Sequence, residues 1–216
     1  MRAALFDMDR TLVRHETARL YLRYAREHGA LSWADEAKAL WWMAGYAAGL
    51  VDAREVAVRA LCALEGTYET VLAARCDDWF RRDVERHVCD AGRRAVEEHR
   101  ARGEVVAIVT AAIPHVARPL ARRLAIDHVV ASELEVAADG RLTGRLTGPL
   151  NYAETKVARA AELASRLGFR VEEAAFYSDS SSDLPLLQAV GQPVAVNPDA
   201  KLERVARVRG WRIERW

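Results

Sequence analysis

The sequence predicts an α/β fold, an open parallel sheet with helices on both faces, interrupted by an all-helical insertion. Three observations predict it. Short apolar runs, AALF at 3–6, VVAIV at 105–109 and AAFY at 174–177, read as strands buried on both faces. In the second part of the chain such runs alternate with amphipathic helical stretches. Between about 16 and 88 the pattern is helical throughout, with no strand pattern in it.

Ala3–Phe6 is the first strand. In ETARLYLRYAREHG, Leu20, Tyr24 and Ala25 share a face, and Gly29 suits the position just past a helix end. Three more helices are predicted near 31–50, 53–64 and 68–86. Residues 91–102 form an amphipathic helix closed by Gly103, and EVVAIV at 104–109 is a buried strand. Pro114 suits the first position of a helix over 114–124. A short strand at 128–131 comes next, then runs at 134–137 and 141–146 flanking Asp139-Gly140, a hairpin signal. Asn151, with Glu154 three residues on, resembles a capping box for a helix over 152–167 that stops at Gly168. A strand at 174–177, a helix at 184–189, a strand at 193–196, a helix at 199–209 and a strand at 211–214 complete the alternation. The expected division is a core of 1–13 and 91–216 split by a helical cap of 14–90.

Composition narrows the function. The chain has 216 residues, 51% hydrophobic and 29% charged, an ordinary globular balance. With Lys+Arg 32 against Asp+Glu 31 the formal net charge is +1, and the basic residues interleave with acids along helices. No nucleic-acid partner is expected. Cys62, Cys76 and Cys89 form no CxxC pair, so neither a disulfide framework nor a zinc site is expected, and packing is their default role. The N-terminus does not read as a signal peptide. The longest apolar run, LWWMAGYAAGLV at 40–51, falls short of the roughly 20 residues needed to span a bilayer. A soluble, cytoplasmic protein is the expectation.

The chemistry is carried by the segments just after the core strands, because open parallel sheets bind ligands beyond their carboxyl ends. Asp7-Met8-Asp9-Arg10-Thr11 comes after the first strand, and Thr110-Ala111 comes after the 104–109 strand and leads into a helix. Ser178-Asp179-Ser180-Ser181-Ser182-Asp183 comes after the 174–177 strand, and Lys156 lies near the start of the preceding helix. Four carboxylates at one edge would raise one another's pKa. A hard divalent cation resolves this, and ligands of oxygen alone point to Mg²⁺. The helix N-terminus after Thr110 and the Lys156 ammonium make a cradle for a phosphate dianion. A carboxylate that attacks phosphorus forms an aspartyl-phosphate. A second carboxylate two residues on can protonate the leaving oxygen and then take a proton from water.

DMDRT, Thr110, Lys156 and SDSSSD resemble, in order and spacing, the four motifs of the haloacid dehalogenase superfamily phosphatases. The helical insertion resembles the cap of the phosphoserine-phosphatase-like branch, subfamily IB. The resemblance implies a Rossmann-like core with an all-α cap. It makes Asp7 the nucleophile and a metal ligand, and Asp9 the general acid/base with its carbonyl on the metal. Thr110, Ala111 and Lys156 would hold phosphate, Asp179 would complete the protein's metal ligands, and Thr11, Ser180 and Asp183 would support them. Glu16 matches a position that meets the substrate amine in phosphoserine phosphatases; its plainer reading is an acid favoured at a helix N-terminus. Arg10, Ser180 and Ser182 depart from the DxDST and GDGxND patterns of those enzymes. YSDSSSDLPLLQAVGQPVAVNPD and DGRLTGRL resemble a bacterial subgroup that includes lipid-phosphate phosphatases of the phosphatidylglycerophosphatase type.

The expected activity is therefore Mg²⁺-dependent hydrolysis of a small phosphorylated metabolite or a lipid phosphate. Transfer of the phosphoryl group to an alcohol is the alternative, and a non-enzymatic phospho-receiver module is a distant third. Trp33, Trp41, Trp42, Met43 and Tyr46 are either cap core or an apolar wall for an acyl chain or membrane surface. His15 and His115 are expected at the solvent or leaving-group rim.

Overall fold

The computed structural model describes residues 2–29, 32–47 and 53–216. The first strand, β1 (Ala3–Phe6), is followed by helices α1 (Thr17–Glu27), α2 (Trp33–Ala47), α3 (Ala53–Cys62) and α4 (Glu69–Trp79). After α4 the chain widens into a π-helical turn over Phe80–Val84 and tightens into a 3-10 turn over Glu85–His87. Then come α5 (Asp90–Ala101), β2 (Val105–Val109), α6 (Pro114–Leu124), β3 (His128–Val130), β4 (Leu134–Val136) and β5 (Leu142–Leu146). The chain closes with α7 (Glu154–Leu167), β6 (Ala175–Ser178), α8 (Leu184–Ala189), β7 (Gln192–Val196), α9 (Ala200–Arg209) and β8 (Arg212–Glu214).

Six strands form one parallel sheet in the order β3-β2-β1-β6-β7-β8. Because successive side chains of a strand point to opposite faces, each apolar run feeds two cores. Ala4 and Phe6 pack with Ile108, Tyr177 and Val196 on one face, where Val96, Leu120 and Trp79 cover them. Ala3 and Leu5 pack with Ala107, Val109, Phe176 and Ala195 on the other, beneath Leu163, Leu187 and Leu202. β1 is central, so the loop after it is flanked by the loops after β2 and β6. The β4–β5 hairpin stands apart as an antiparallel pair. It leans on the helical segment, where Leu134 and Leu142 pack with Leu61, Leu72 and Cys76.

Helices α1 to α4 leave and rejoin the core through one narrow neck. Val13 forms an antiparallel bridge with Val88. Arg14 N donates to His87 O at 2.9 Å and Cys89 N to Leu12 O at 2.8 Å.

Four sequence expectations need correction. The capping box at Asn151 does not form: the residue before α7 is Ala153, at φ 49°, and no side chain caps the helix. Asn151 is instead wholly buried and bonded elsewhere. His115 is buried rather than at a rim, because the first turn of α6 tucks it against α4, where its Nε2 lies 3.2 Å from Glu69 Oε1. Cys62 is exposed at the end of α3, whereas Cys76 and Cys89 are buried as expected. Trp33 and Trp41 are not cap core: they are 78% and 67% exposed. Trp42 carries the Arg59 guanidinium 4.1 Å above its ring. The side chains of Met43 and Tyr46 lie outside the described residues.

Candidate active site

The site begins where β1 ends. Asp7 N donates to Tyr177 O at 2.9 Å, extending the ladder to β6 by one residue. The chain then turns sharply, with Met8 O accepting from Leu12 N at 3.0 Å and Val13 N at 2.9 Å. Arg10 occupies the tight point of this turn at φ 56°. The turn sends the two carboxylates different ways. Asp7 Oδ1 accepts from Lys156 Nζ at 2.7 Å. Asp9 Oδ1 accepts from Thr17 N at 3.1 Å, at the start of α1.

The loop after β6 is a nest of short polar bonds. Ser178 Oγ donates to Asp183 Oδ2 at 2.7 Å, and Ser180 N donates to Ser178 Oγ at 3.2 Å. Lys156 Nζ donates to Asp183 Oδ2 at 2.8 Å, so the buried ammonium is shared between Asp7 and Asp183. Asp199 braces this loop from the next strand end. Its Oδ2 accepts from Ser181 N at 2.6 Å, its Oδ1 caps α9 through Leu202 N, and its own N–H donates to Asp179 O at 2.8 Å. Ser180 Oγ accepts from Ser182 N at 3.2 Å, which accounts for both serines as turn-forming residues. Arg10 Nε reaches Asp179 Oδ2 at 3.4 Å.

The loop after β2 is held open from behind. Thr110 Oγ1 accepts from Ala112 N at 3.1 Å, which leaves its hydroxyl proton to donate. Ser132 Oγ donates to Ala111 O at 2.8 Å and accepts from Asn151 N at 3.0 Å. Asn151 Nδ2 donates to Thr110 O at 2.8 Å and Val130 O at 3.0 Å. Sequence reading gave no role to Ser132 or Asp199, took Asn151 for a helix cap and named Ser178 only as part of its segment. Only Asp199 carried a legible signal, an acid directly before a helix. Thr11 is buried with its hydroxyl unpartnered. Glu16 sits just before α1, half-buried and paired with Arg19 at 2.8 Å, close enough for its charge to act on Asp9. His15 is exposed and packs edge-on against His87.

Charge is uncompensated here. Burial pushes Asp7 up to about 7, Lys156 opposing and Asp183 reinforcing the shift. Burial takes Asp9 up to about 6 against its bond from Thr17. Burial and the charge of Asp7 take Asp179 up to about 8, despite Arg10. Burial works against the Lys156 ammonium, but Asp183 and Asp7 outweigh it and hold its pKa above the ordinary lysine value. Such a set suits a hard cation, since a divalent charge favours the ionised form of the carboxylates it touches, here Asp7 and Asp179. The donors are oxygens alone. Among the described residues no three His, Cys, Asp or Glu side chains gather as a ready metal cluster. Asp7 and Asp179 lie close enough for the charge of one to act on the other, so these are the carboxylates that could hold a cation.

The family model for haloacid dehalogenase-like hydrolases matches residues 4–188. This chain belongs to that family. The hydrolase is 28% identical over 214 residues to a histidinol-phosphatase of Neisseria meningitidis, covering 97% of this chain and 96% of that protein. It is 32% identical over 215 residues to the phosphoserine phosphatase SerB1 of Mycobacterium tuberculosis, covering 98% of this chain and 70% of that one. A crystal structure of a protein of unknown function from Bordetella pertussis superposes with a TM-score of 0.90 at 32% identity, over 99% of this chain and 97% of the other. The hydrolase is a phosphatase of the phosphoserine-phosphatase-like kind. No helix among the described residues is long and apolar enough to cross a membrane.

Proposed function

We propose that this hydrolase is a Mg²⁺-dependent phosphomonoesterase that works through phosphorylated Asp7, with residues 14–90 acting as a cap over the substrate. One observation carries the reading: two carboxylates two residues apart have opposite partners. Asp7 rests on the Lys156 ammonium and Asp9 on a backbone N–H. Environments that differ in this way assign different roles.

In the first step an Asp7 oxygen attacks phosphorus. A P–O bond to Asp7 forms, the ester P–O bond breaks, and the leaving oxygen takes a proton from Asp9. A protonated Asp9 is accessible near neutral pH, since burial holds its pKa at about 6. In the second step water gives its proton to Asp9 and attacks phosphorus, and inorganic phosphate leaves as the Asp7 carboxylate is restored. Lys156, the Thr110 hydroxyl and the Ala111 N–H hold the phosphoryl oxygens, and Asp183 fixes Lys156. Asp7, Asp179 and the Asp9 carbonyl would hold Mg²⁺, which when bound offsets repulsion between the dianion and the attacking carboxylate.

A small amino-alcohol phosphate is the substrate class we favour. Two relatives are named for histidinol phosphate and phosphoserine, and Glu16 offers a carboxylate beside Asp9 for an amine. A lipid phosphate is the second reading, favoured by the exposure of Trp33 and Trp41. The test is Mg²⁺-dependent phosphate release from histidinol phosphate, phosphoserine and lysophosphatidate, with Asp7→Asn as the blank. Release by the blank at the wild-type rate would end the covalent mechanism. Turnover of the lipid phosphate alone would replace the amino-alcohol reading. A phosphorylated product on adding glycerol would identify transfer in place of hydrolysis.

A further inference from the structure

Arg10 is the residue at which this site departs from its simplest form. Its backbone lies in the left-handed region at φ 56°, where a side chain costs about 1–2 kcal/mol and glycine costs little. Its side chain is 48% exposed and runs from the tight turn after β1 to Asp179 on the loop after β6, with Nε 3.4 Å from Oδ2. Among the described residues nothing else cationic pairs with Asp179: Lys156 bonds Asp7 and Asp183 instead. The ionised site holds Asp7, Asp9, Asp179 and Asp183 against Lys156 and Arg10, a net charge of −2. Arg10 is the most exposed member of that set, and it sits on a carboxylate that the proposed function gives to Mg²⁺.

We propose that Arg10 is a resident counter-ion that occupies Asp179 until the divalent cation arrives, so that cation binding is an exchange at this carboxylate. The inference rests on the Mg²⁺ reading above. The exchange has a physical cost and a physical use. The cation must displace a guanidinium before it gains Asp179, which weakens its apparent affinity. In return the metal-free site keeps Asp179 partly neutralised, and the displaced guanidinium, on an exposed arm, becomes available at the mouth when the phosphate dianion enters. A glycine or serine at this position would supply neither.

The test is calorimetric titration of Mg²⁺ into the metal-free enzyme without substrate, in buffer above pH 8 where Asp179 is ionised, comparing wild type with Arg10→Gly, Arg10→Asn and Arg10→Lys. Glycine and asparagine both accept a positive φ, so neither threatens the turn. A half-exposed ion pair is a small term, so the expected gain in Mg²⁺ affinity is about two- to fivefold for both neutral variants. The lysine variant, which keeps charge but loses the fork, should fall between them and wild type. Equal or weaker affinity in Arg10→Gly and Arg10→Asn, with wild type binding normally, overturns the exchange and leaves the Mg²⁺ reading standing. Absence of Mg²⁺ binding in wild type and variants alike overturns both.

Discussion

The Asp9 carboxylate ties the loop after β1 to the first N–H of α1, that of Thr17. Its Oδ1 accepts the Thr17 N–H at 3.1 Å, satisfying one of the donors that a helix start leaves without a partner. The proposed acid/base is thereby tied to the first helix of the inserted segment.

The two roles separate by substitution. Asp9→Asn keeps an oxygen for Thr17 and loses the proton carrier. Its melting temperature should stay near wild type while kcat falls about 10²–10⁴-fold. Asp9→Ala loses both, and should unfold about 1 kcal/mol more easily as well. Paired thermal melts and phosphate-release rates check this; equal stability of the two variants would remove the capping role.

Lys156 is buried between Asp7 and Asp183 at 2.7 and 2.8 Å. Lys156→Met keeps most of the volume and strands two carboxylates. Breaking a buried pair in this way costs about 3–5 kcal/mol. Urea unfolding of the metal-free enzyme should show a loss of that size, with turnover abolished. A variant as stable as wild type would mean that the carboxylates protonate at no cost.

Asn151 holds the main chain at the end of β2 and β3 through Thr110 O and Val130 O. Asn151→Ala takes this donor from Thr110 O in a buried site, while Val130 O keeps Thr110 N at 2.9 Å, a cost of about 1–3 kcal/mol. Because the proposed function has this loop present Thr110 to the phosphoryl group, inhibition by inorganic phosphate should weaken with the fall in stability. Unaltered phosphate inhibition would confine Asn151 to the fold.

Burial holds His115 below the ordinary histidine pKa, with Glu69 opposing and Arg118 reinforcing the shift. The folded protein therefore resists a proton that the unfolded chain accepts from about pH 6.5 downward. The unfolded state binds more protons in that window, so this contribution to stability is complete above it and is lost as pH falls through it. The stability difference between wild type and His115→Gln should shrink or reverse from pH 7.5 to 5.5 in urea titrations. A difference independent of pH would mean that His115 does not titrate there.

Much of this was legible because the relevant signals are local. Apolar runs such as VVAIV and AAFY are too short and too apolar to be anything but buried strands beside their helices. The acids Asp7, Asp9, Asp179 and Asp183 stand at strand ends, where the parallel topology makes their convergence a geometric consequence. Asn151 failed for the opposite reason. Its spacing to Glu154 imitates a cap, but the side chain is claimed by carbonyls of Thr110 and Val130, far away in sequence. His115 and Ser132 are similar: each is given its partner by tertiary packing, which leaves no mark on neighbouring residues. Trp33 and Trp41 were ambiguous because a run dense in tryptophan does not say which rings face solvent.

The bridge between Val13 and Val88 brings the two ends of the helical segment within one hydrogen-bonded step of each other. A fold entered and left at a single point can exchange what hangs from that point without rethreading its sheet, much as an instrument accepts different heads on one coupling. If the proposed cap were exchanged as a block, Asp7, Asp179 and Lys156 would stay where β1, β6 and α7 put them, and Asp9 would need a new donor in place of Thr17 N. Under the proposed function, grafting a relative's segment between Val13 and Val88, with Tyr24 and Trp79 kept for the core they cover, is a route to redirecting this enzyme.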